Sequence, residues 1–451
     1  MTTFTLSTED GLVKSVVTNG LHFNHSSLVC LLSQVSNPKN ITISNLEFPD
    51  SNVNGLTLDI VANQCQVINC HFPLGLNTAQ ADVVHISAID ITIQDIIATN
   101  MRQEGSVFYL KPSTTLVATN CTFTNATNAT AIAIQSYLAS IDISTLTIVG
   151  FNHSLEATFP KGPGLVIDAI TSNITISGSH FTGNSFYTTE IPSAGTIGLT
   201  MKDSSAVVSN CTFSDNYSEN GGAMYFYLDQ SNLTLSNIEA YRCSSETGGA
   251  ALTITPFPQT ADQFIQIEHY RAEDCTSADQ GSIMKLFETP ALVTLSNVTA
   301  LRNHAAGNGG AIWIAKSTQI IISDSLFQDN ISDKFGGALN LLDSAANLSR
   351  VTFINNTSGF SGGGLSVVPG DRSNLVLMVI EDCQFQSNQA QLAGAGVFIT
   401  ATNLAVQFRR CNITDNRQII GDDDGVVYGG GLTAAILNPQ QTIDMEECTF
   451  A

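Results

Sequence analysis

Two short motifs alternate along the second half of this chain. An F-x-x-N motif is followed, a few residues later, by a G-G-A-like motif that ends in an apolar residue. The clearest pairs are residues 213–216 with 221–224, 327–330 with 336–339, 353–356 with 362–365, and 385–388 with 394–397. Such a repeat constrains the fold more than any single residue does, because each unit can bury its apolar face only against its neighbours.

The G-G site marks one position in each repeat. Successive sites in the clearer half lie about 27 to about 36 residues apart, near Gly221, Gly248, Gly281, Gly309, Gly336, Gly363, Gly394 and Gly430. Weaker versions stand at 55–60, 82–86, 105–110, 130–134, 164–167 and 195–199. The spacing predicts about fifteen coils in a single domain over 1–451, with degraded coils at 1–80 and the best-matching repeats at 180–450.

Within each repeat, apolar residues alternate with polar ones, as in 232–238 and 318–324. A period of two is typical of β-strands. Repeats of this length are too long for a hairpin unit. They suit a parallel β-helix, in which each strand pairs with its counterpart one coil away, about 4.8 Å along the axis. The predicted fold class is therefore an all-β solenoid of this kind.

The motif residues have predictable roles in such a coil. Alternation turns the Phe ring inward, so Phe residues at the same phase should stack as a ladder of offset rings. The Asn three residues later tolerates left-handed turn geometry and can bond the neighbouring coil, which predicts a second ladder. The paired glycines allow a tight turn where a Cβ would clash. The predicted ladder rings are Phe181, Phe213, Phe327, Phe353, Phe385 and Phe450.

This combination of F-x-x-N and G-G-A-[ILVM] repeats resembles the passenger region of the chlamydial polymorphic membrane proteins. It is equally similar to related repeats in large exported proteins of other bacteria and of protists. The resemblance covers about residues 180–450 and extends more loosely back to about residue 80. It implies a right-handed parallel β-helix and surface adhesion.

The composition bounds the possible partners. The chain has 39 acidic and 17 basic residues and a formal charge of −22. Such a field repels phosphate backbones and disfavours nucleic acid as a partner. No run of about 18 apolar residues occurs, so no membrane span is predicted. The start lacks the pattern of a secretory signal. The chain stops at Ala451 in mid-repeat, so we expect a fragment of a longer protein.

Sequons favour an extracellular or cell-surface location. Sixteen N-x-[S/T] sites occur among 36 Asn, which is roughly twice the number expected by chance. Strands rich in Thr and turns rich in Asn would also produce sequons without glycosylation, so both interpretations stay open. The candidate glycosylation sites are Asn120, Asn210, Asn216, Asn232, Asn297, Asn330 and Asn412.

The ten cysteines follow the repeat. Neighbouring coils would place cysteines of equal phase about 4.8 Å apart, inside the range for a disulfide. Stacked free thiols that act as small apolar side chains are the other interpretation. Five cysteines stand two residues before the ladder position: Cys70, Cys121, Cys211, Cys383 and Cys448. Three more are assigned to the corresponding place in their coils: Cys243, Cys275 and Cys411.

Catalysis is a class that must be considered, because right-handed β-helices include polysaccharide lyases and hydrolases. These enzymes need clustered carboxylates with a basic residue on one lateral face. The one candidate cluster is Asp422, Asp423 and Asp424 between glycines. It could chelate calcium or form a solvated turn. No catalytic residue and no cofactor other than calcium is predicted, and a non-enzyme is favoured.

The outward residues that follow the G-G site are the candidate binding residues. Aromatic side chains on a flat strand face could stack on sugar rings. By alternation, the outward aromatic residues are Tyr109, Tyr225, Tyr227, Trp313 and Phe398. Other coils hold Lys285, Asn340, Ser366 and Thr433 at this phase, and flanking loops could cover the row.

Three insertions, 152–162, 184–195 and 416–429, lengthen the same connection between F-x-x-N and G-G. Equal phase puts them on one side of the solenoid, where loops carry function. The predicted function is an extracellular, adhesin-like or structural surface β-helix whose partners are proteins or glycans. The alternative is a polysaccharide-binding or polysaccharide-degrading β-helix.

Overall fold

The chain folds as a right-handed parallel β-helix, which confirms the predicted class. Strands of successive coils pair in parallel, for example Ser140–Val149 with Asn173–Ser177 and Ile320–Ser323 with Ala346–Ser349. The structure, a computed structural model, describes residues 2–3, 15–19, 28–31, 40–45, 57–72, 77–78, 83–100, 102–153, 163–187, 195–256, 263–288, 292–317, 319–368, 376–401, 404–419, 429–436 and 442–451.

The chain divides into two compact units, Met1–Glu219 and Asn220–Ala451. The single domain over 1–451 stays a prediction. The first unit contains β1 Thr2–Thr3, β2 Ser15–Asn19, β3 Leu28–Leu31, β4 Asn40–Ser44, β5 Thr57–Ile68, β6 His71–Phe72, β7 Asn77–Thr78, β8 Val84–Gln94, β9 Ile97–Thr99, β10 Arg102–Thr124, β11 Thr127–Tyr137, β12 Ser140–Val149, β13 Asn152–His153, β14 Leu165–Ile170, β15 Asn173–Ser177, β16 His180–Thr182, β17 Ser185–Phe186, β18 Ile197–Lys202, β19 Ser205–Ser214 and β20 Tyr217–Ser218.

The second unit has three strands in each of its first three coils and four shorter strands in each coil from Ile312 to Gln418. It contains β21 Met224–Asp229, β22 Asn232–Tyr241, β23 Ser244–Ser245, β24 Leu252–Pro256, β25 Phe264–Glu273, β26 Thr276–Ser277, β27 Met284–Phe287, β28 Leu292–Leu301, β29 His304–Ala305, β30 Ile312–Ala315, β31 Ile320–Ser323, β32 Leu326–Gln328, β33 Ile331–Ser332, β34 Leu339–Leu342, β35 Ala346–Ser349, β36 Thr352–Ile354, β37 Thr357–Ser358, β38 Leu365–Val368, β39 Val376–Glu381, β40 Gln384–Gln386, β41 Gln389–Ala390, β42 Val397–Ala401, β43 Leu404–Arg409, β44 Asn412–Thr414, β45 Arg417–Gln418, β46 Leu432–Ile436, β47 Ile443–Glu446 and β48 Thr449–Phe450.

The solenoid has about 11 turns, fewer than the fifteen coils expected from the motifs. The expectation took every weak G-G equivalent as one coil, including those at 55–60 and 82–86. The described residues do not cover the start of either site, because residues 55–56 and 79–82 lie outside them. The alternation of apolar and polar residues is followed closely, as in Asn232–Tyr241, where inward residues are buried and their neighbours are not. Burial of one strand face therefore fixes the register, because a slip of one residue would turn the apolar set outward.

The Phe ladder forms in segments. Phe181 stacks on Phe213 with ring centroids 5.0 Å apart in the first unit. In the second unit, Phe353 stacks on Phe327 at 5.2 Å and on Phe385 at 4.8 Å. Each of these rings is fully buried. The sixth expected ring, Phe450, remains 50% exposed at the last described coil.

Three coils of the second unit replace the ladder ring with alanine. The register aligns Ala240, Ala272 and Ala300 with Phe327. Tyr270 lies two residues before Ala272 and is fully buried, so its ring fills volume that the small residues leave empty. Its hydroxyl has no hydrogen-bond partner, and burial raises its pKa well above the usual value.

In the second unit, an unbroken Asn ladder runs from Asn303 to Asn416. Asn303, Asn330, Asn356, Asn388 and Asn416 follow one another in successive coils, and each Nδ2 donates to the next Oδ1 at 2.9–3.0 Å. The same Oδ1 atoms also accept a backbone N–H, as from Asn330 to Asn356 at 3.0 Å. Each Nδ2 reaches a backbone carbonyl as well, so the buried amides are well satisfied. The predicted Asn ladder is confirmed.

Two cysteines were assigned to the wrong phase. The backbone N–H of Cys275 donates to Asn303 Oδ1 at 2.9 Å, which is the bond that ladder asparagines make. Cys243 and Cys275 therefore occupy the Asn position, whereas Cys383 and Cys411 precede the ladder residue by two as expected. The error arises because Ala240 and Ala272 remove the Phe that marks the phase. The nine cysteines whose side chains the structure describes are free thiols.

Candidate functional site

One sheet of the second unit follows the G-G turns. Its strands β21, β24, β27, β30, β34, β38, β42 and β46 pair in that order. The register aligns one residue of each strand in a single row, which we call the outer row. Its members are Tyr225, Thr253, Lys285, Trp313, Asn340, Ser366, Phe398 and Thr433.

The predicted tyrosines are only partly accessible. Tyr225 and Tyr227 are half-buried on either side of the fully buried Phe226, as alternation predicts. Burial raises the pKa of Tyr225. In the first unit, the Tyr109 hydroxyl donates to Gln135 Oε1 at 3.0 Å. That bond already engages the polar end of the Tyr109 side chain.

Trp313 is not the exposed platform that the sequence predicted. Only 4% of it is exposed. Its indole lies parallel to the ring of Phe287, with centroids 6.1 Å apart. The Lys285 ammonium group lies 5.5 Å from the indole centroid, within cation–π range. Trp313 is therefore covered, and it can contact a ligand only inside the fold.

The G-G turns form part of this cover. Gly336 adopts a φ of 69°, and a Cβ there would lie 2.8 Å from the Cβ of Asn340. A Cβ on Gly362 would likewise lie 2.7 Å from the Cβ of Ser366. Only glycine permits this approach, because a side chain would clash and a positive φ would add strain. As a result, Asn340 and Ser366 are fully buried.

Three Phe rings extend the cover, and we call them the aromatic roof. Phe335 comes from the turn that precedes Gly336, and its ring lies 5.4 Å from that of Phe360. The same ring lies 6.2 Å from that of Phe398, which is two positions beyond Asn340 in the outer row. Ser366 stands between them, and its small side chain leaves room for the Phe335 ring. Phe360 is 43% exposed, so the aromatic roof reaches the surface.

Polar atoms under this cover have no partner. They are Trp313 Nε1, Asn340 Nδ2, Asn340 Oδ1 and Ser366 Oγ. A buried donor or acceptor without a hydrogen bond costs about 1–3 kcal/mol. Four such atoms lie in three residues of adjacent strands, so the unfavourable free energy is concentrated there. The other described side chains of the outer row have no such buried unpaired atom.

Sequence reasoning placed Asn340 and Ser366 in the same row as Trp313 but gave them no role. Their burial could not be anticipated, since it depends on the G-G turn folding back over the strand that follows it. One sequence signal could have singled out Asn340 and Ser366. They are polar residues at a position that aromatic residues occupy in other coils.

Two of the candidate glycosylation sites are wrong. Asn216 and Asn330 are fully buried in the Asn ladders, where their amides bond neighbouring coils. A glycan on either nitrogen would break those bonds. Asn232 is half-buried. The four candidates that are exposed are Asn120, Asn210, Asn297 and Asn412.

The candidate calcium ligands Asp422, Asp423 and Asp424 lie outside the described residues. The three insertions also fall largely outside them. Within the described part of the chain, no group of three or more His, Cys, Asp or Glu side chains is placed to hold a metal ion.

Charged side chains form a column at one corner of the second unit. Asp324, Arg350, Asp382 and Arg410 occupy equivalent positions of four successive coils. Arg350 Nε lies 2.6 Å from Asp324 Oδ1, and Arg410 Nε lies 2.7 Å from Asp382 Oδ1. The hydrogen bond from Arg410 lowers the pKa of Asp382. Such exposed pairs align the coils but add little stability each.

Comparison with known proteins settles the family. A family model for right-handed β-helix regions matches residues 75–261 and 293–440, well over half of the chain. The chain belongs to the right-handed β-helix family. A search of the curated proteins found no significant match. The more specific resemblance to the chlamydial proteins stays a prediction. In the described residues of this β-helix, no helix is long and apolar enough to cross a membrane.

Proposed function

We propose that this β-helix is an extracellular, adhesin-like surface protein that binds a protein partner through an outward strand face. One observation carries the proposal. Phe264, Leu292 and Ile321 are exposed by 44%, 39% and 42% on three successive coils. The register aligns Phe264 with Leu292 on the next coil. Ile321 lies on the coil after that, where it pairs with Thr294, the next outward residue after Leu292 on the same strand. We call these three residues the apolar patch.

The surroundings of the apolar patch favour contact with a protein. Gln266 and Thr294 are its outward neighbours on β25 and β28, and both are uncharged. Charged residues are depleted at the centre of protein interfaces, where large apolar side chains are enriched. Clustered apolar side chains on a soluble protein mark interaction sites. The paired strands hold these side chains in place, so binding costs little conformational entropy.

Other features support an extracellular setting for such a contact. Asn297, on the same strand as Leu292, is an exposed sequon. The charge of −22 keeps the chain soluble and disfavours nucleic acid. The resemblance to the chlamydial polymorphic membrane proteins implies surface adhesion. None of these features names the partner, so the test must screen for it.

The test compares variants on an array of extracellular matrix and cell-surface proteins. We expect the wild-type chain to bind at least one of these proteins saturably. A Phe264→Ser, Leu292→Ser double variant should lose this binding. Ile331→Ser is the matched control, because Ile331 is 44% exposed in the same unit but lies on a different strand row. Equal binding by the double variant and the control would refute the proposal.

A polysaccharide-binding or polysaccharide-degrading β-helix is the second candidate. The observation that favours it is the group of unpaired polar atoms beside Trp313. Incubation with pectin and other polyuronides distinguishes degradation from binding. Release of reducing ends or unsaturated products by the wild-type chain would show an enzyme and contradict the first proposal.

A further inference from the structure

We propose that the outer row around Asn340 is a binding site for the acetamido group of a neutral sugar. The inference rests on the proposed role of the chain in extracellular binding, but it concerns a different face from the apolar patch. It starts from the four unpaired polar atoms of Trp313, Asn340 and Ser366. These residues are 4%, 0% and 0% exposed, so bulk water does not satisfy them.

The hydrogen-bonding groups match an amide. Asn340 leaves both its acceptor Oδ1 and its donor Nδ2 unpaired. A ligand amide offers one N–H donor and one carbonyl acceptor, so it can satisfy both ends of the Asn340 side chain. Trp313 Nε1 is a donor only, and the Ser366 hydroxyl can donate or accept. These two groups can bond a second carbonyl lone pair or a ring hydroxyl.

The surroundings indicate a neutral ligand. The closest cation on the outer row is Lys285, which is already engaged. Its Nζ donates to the backbone carbonyl of Thr247 at 2.6 Å and lies 3.3 Å from Asp279 Oδ2. A charged group buried beside Asn340 would need an unpaired counter-charge. An acetamido sugar needs none.

The aromatic roof supplies the apolar part of the site. Phe335 and Phe398 flank Ser366, and Phe360 connects them with the surface. The C–H face of a pyranose ring and the methyl group of an acetamide both pack on aromatic rings, as in most small-ligand sites with few polar groups. Phe335 belongs to the turn that folds back over Asn340, and its ring stacks on those of Phe360 and Phe398, so a ligand that reaches Asn340 must displace this turn. This favours a sugar over an isolated amide, because the sugar ring replaces the contacts that Phe335 gives up.

Trp313 is the only tryptophan in the chain, so its fluorescence reports this site directly. The experiment titrates the intact chain with N-acetylglucosamine, and in parallel with glucose and with N-acetylglutamine amide. We expect a saturable change in Trp313 emission with N-acetylglucosamine at millimolar concentrations, which is usual for a monosaccharide. Glucose, which lacks the acetamido group, should change it at least about tenfold less.

Variants make the test specific. Asn340→Leu should abolish the response, whereas Asn347→Leu, an exposed Asn on another sheet, should leave it unchanged. If Asn340→Leu does not fold, Ser366→Ala serves, and it should weaken binding about tenfold.

Three results would overturn the inference. They are no response of the wild-type chain up to about 100 mM sugar, equal responses to glucose and N-acetylglucosamine, or a response to N-acetylglutamine amide alone. The first would mean that the unpaired atoms hold only water, and the third that the site reads a peptide amide. Binding through the apolar patch would persist in all three cases, so the proposed function can stand if this inference fails.

Discussion

Asn330 donates from Nδ2 to Oδ1 of Asn356 at 2.9 Å, and the same oxygen accepts the backbone N–H of Asn330 at 3.0 Å. Two bonds from one coil thus end on a single buried atom of the next. Because every ladder amide repeats this arrangement, the loss of one Asn leaves unpaired groups in both neighbouring coils.

Replacement of Asn356 by alanine should therefore lower the free energy of unfolding strongly. The change leaves the Asn330 amide without its acceptor, and each buried unpaired group costs about 1–3 kcal/mol. We expect a total loss of roughly 3 kcal/mol or more in urea unfolding. Asn412→Ala, in protein made without glycosylation, is the matched control, since Asn412 is exposed in a strand of the same unit, and it should cost less than about 1 kcal/mol.

Tyr270→Phe should stabilise the chain. The Tyr270 hydroxyl is fully buried without a partner, so its removal relieves a cost while the ring still fills the space beside Ala272. We expect a gain of about 1 kcal/mol, measured by urea unfolding. Tyr241→Phe is the control, because that hydroxyl bonds Glu239 at the surface. A loss of stability in Tyr270→Phe would contradict the assignment.

The Arg410–Asp382 pair predicts an acid-dependent contribution to stability. Arg410 lowers the pKa of Asp382 from its usual 3.8. The folded state therefore binds fewer protons than the unfolded state, and the contribution is present above pH 3.8 and lost as the pH falls through the lowered pKa. The melting temperatures of wild type and Arg410→Gln should differ at pH 5 and converge near pH 2, with a smaller gap at high salt. A gap that widens in acid would be inconsistent with this pair.

Glycan occupancy should follow burial. When the chain is expressed in the secretory pathway of a eukaryotic cell, we expect glycans at the exposed Asn120, Asn210, Asn297 and Asn412. Asn216 and Asn330 should stay unmodified, because their side chains lie in the ladders. Peptide mass spectrometry measures this directly. High occupancy of Asn330 in folded protein would contradict the Asn ladder.

The sequence predicts the coil better than it predicts the site. Periodicity two and the motif spacing suffice for the strands, the inward Phe353 and the Asn ladder, because those features depend only on the contacts between successive coils. Cys243 and Cys275 were misplaced where alanines interrupt the Phe phase. Where the marker residue of a repeat changes, its phase can no longer be assigned from the sequence.

The burial of Trp313 illustrates what the sequence leaves open. Alternation correctly places this residue in the outer row beside Asn340. It does not say that the Phe287 ring stacks on the indole or that glycine turns fold back over the row. That cover depends on tertiary contacts between a turn and coils beyond its own, and no local pattern encodes it.

The role of the apolar patch can be measured as the affinity of the best protein partner from the array for wild type and for the Phe264→Ser, Leu292→Ser variant. Surface plasmon resonance provides the affinities, and thermal unfolding confirms that the variant is folded. We expect the variant to bind at least about tenfold more weakly, with an unchanged melting temperature. Equal affinities would show that the apolar patch is not the binding face and would rule out the proposed mode of adhesion.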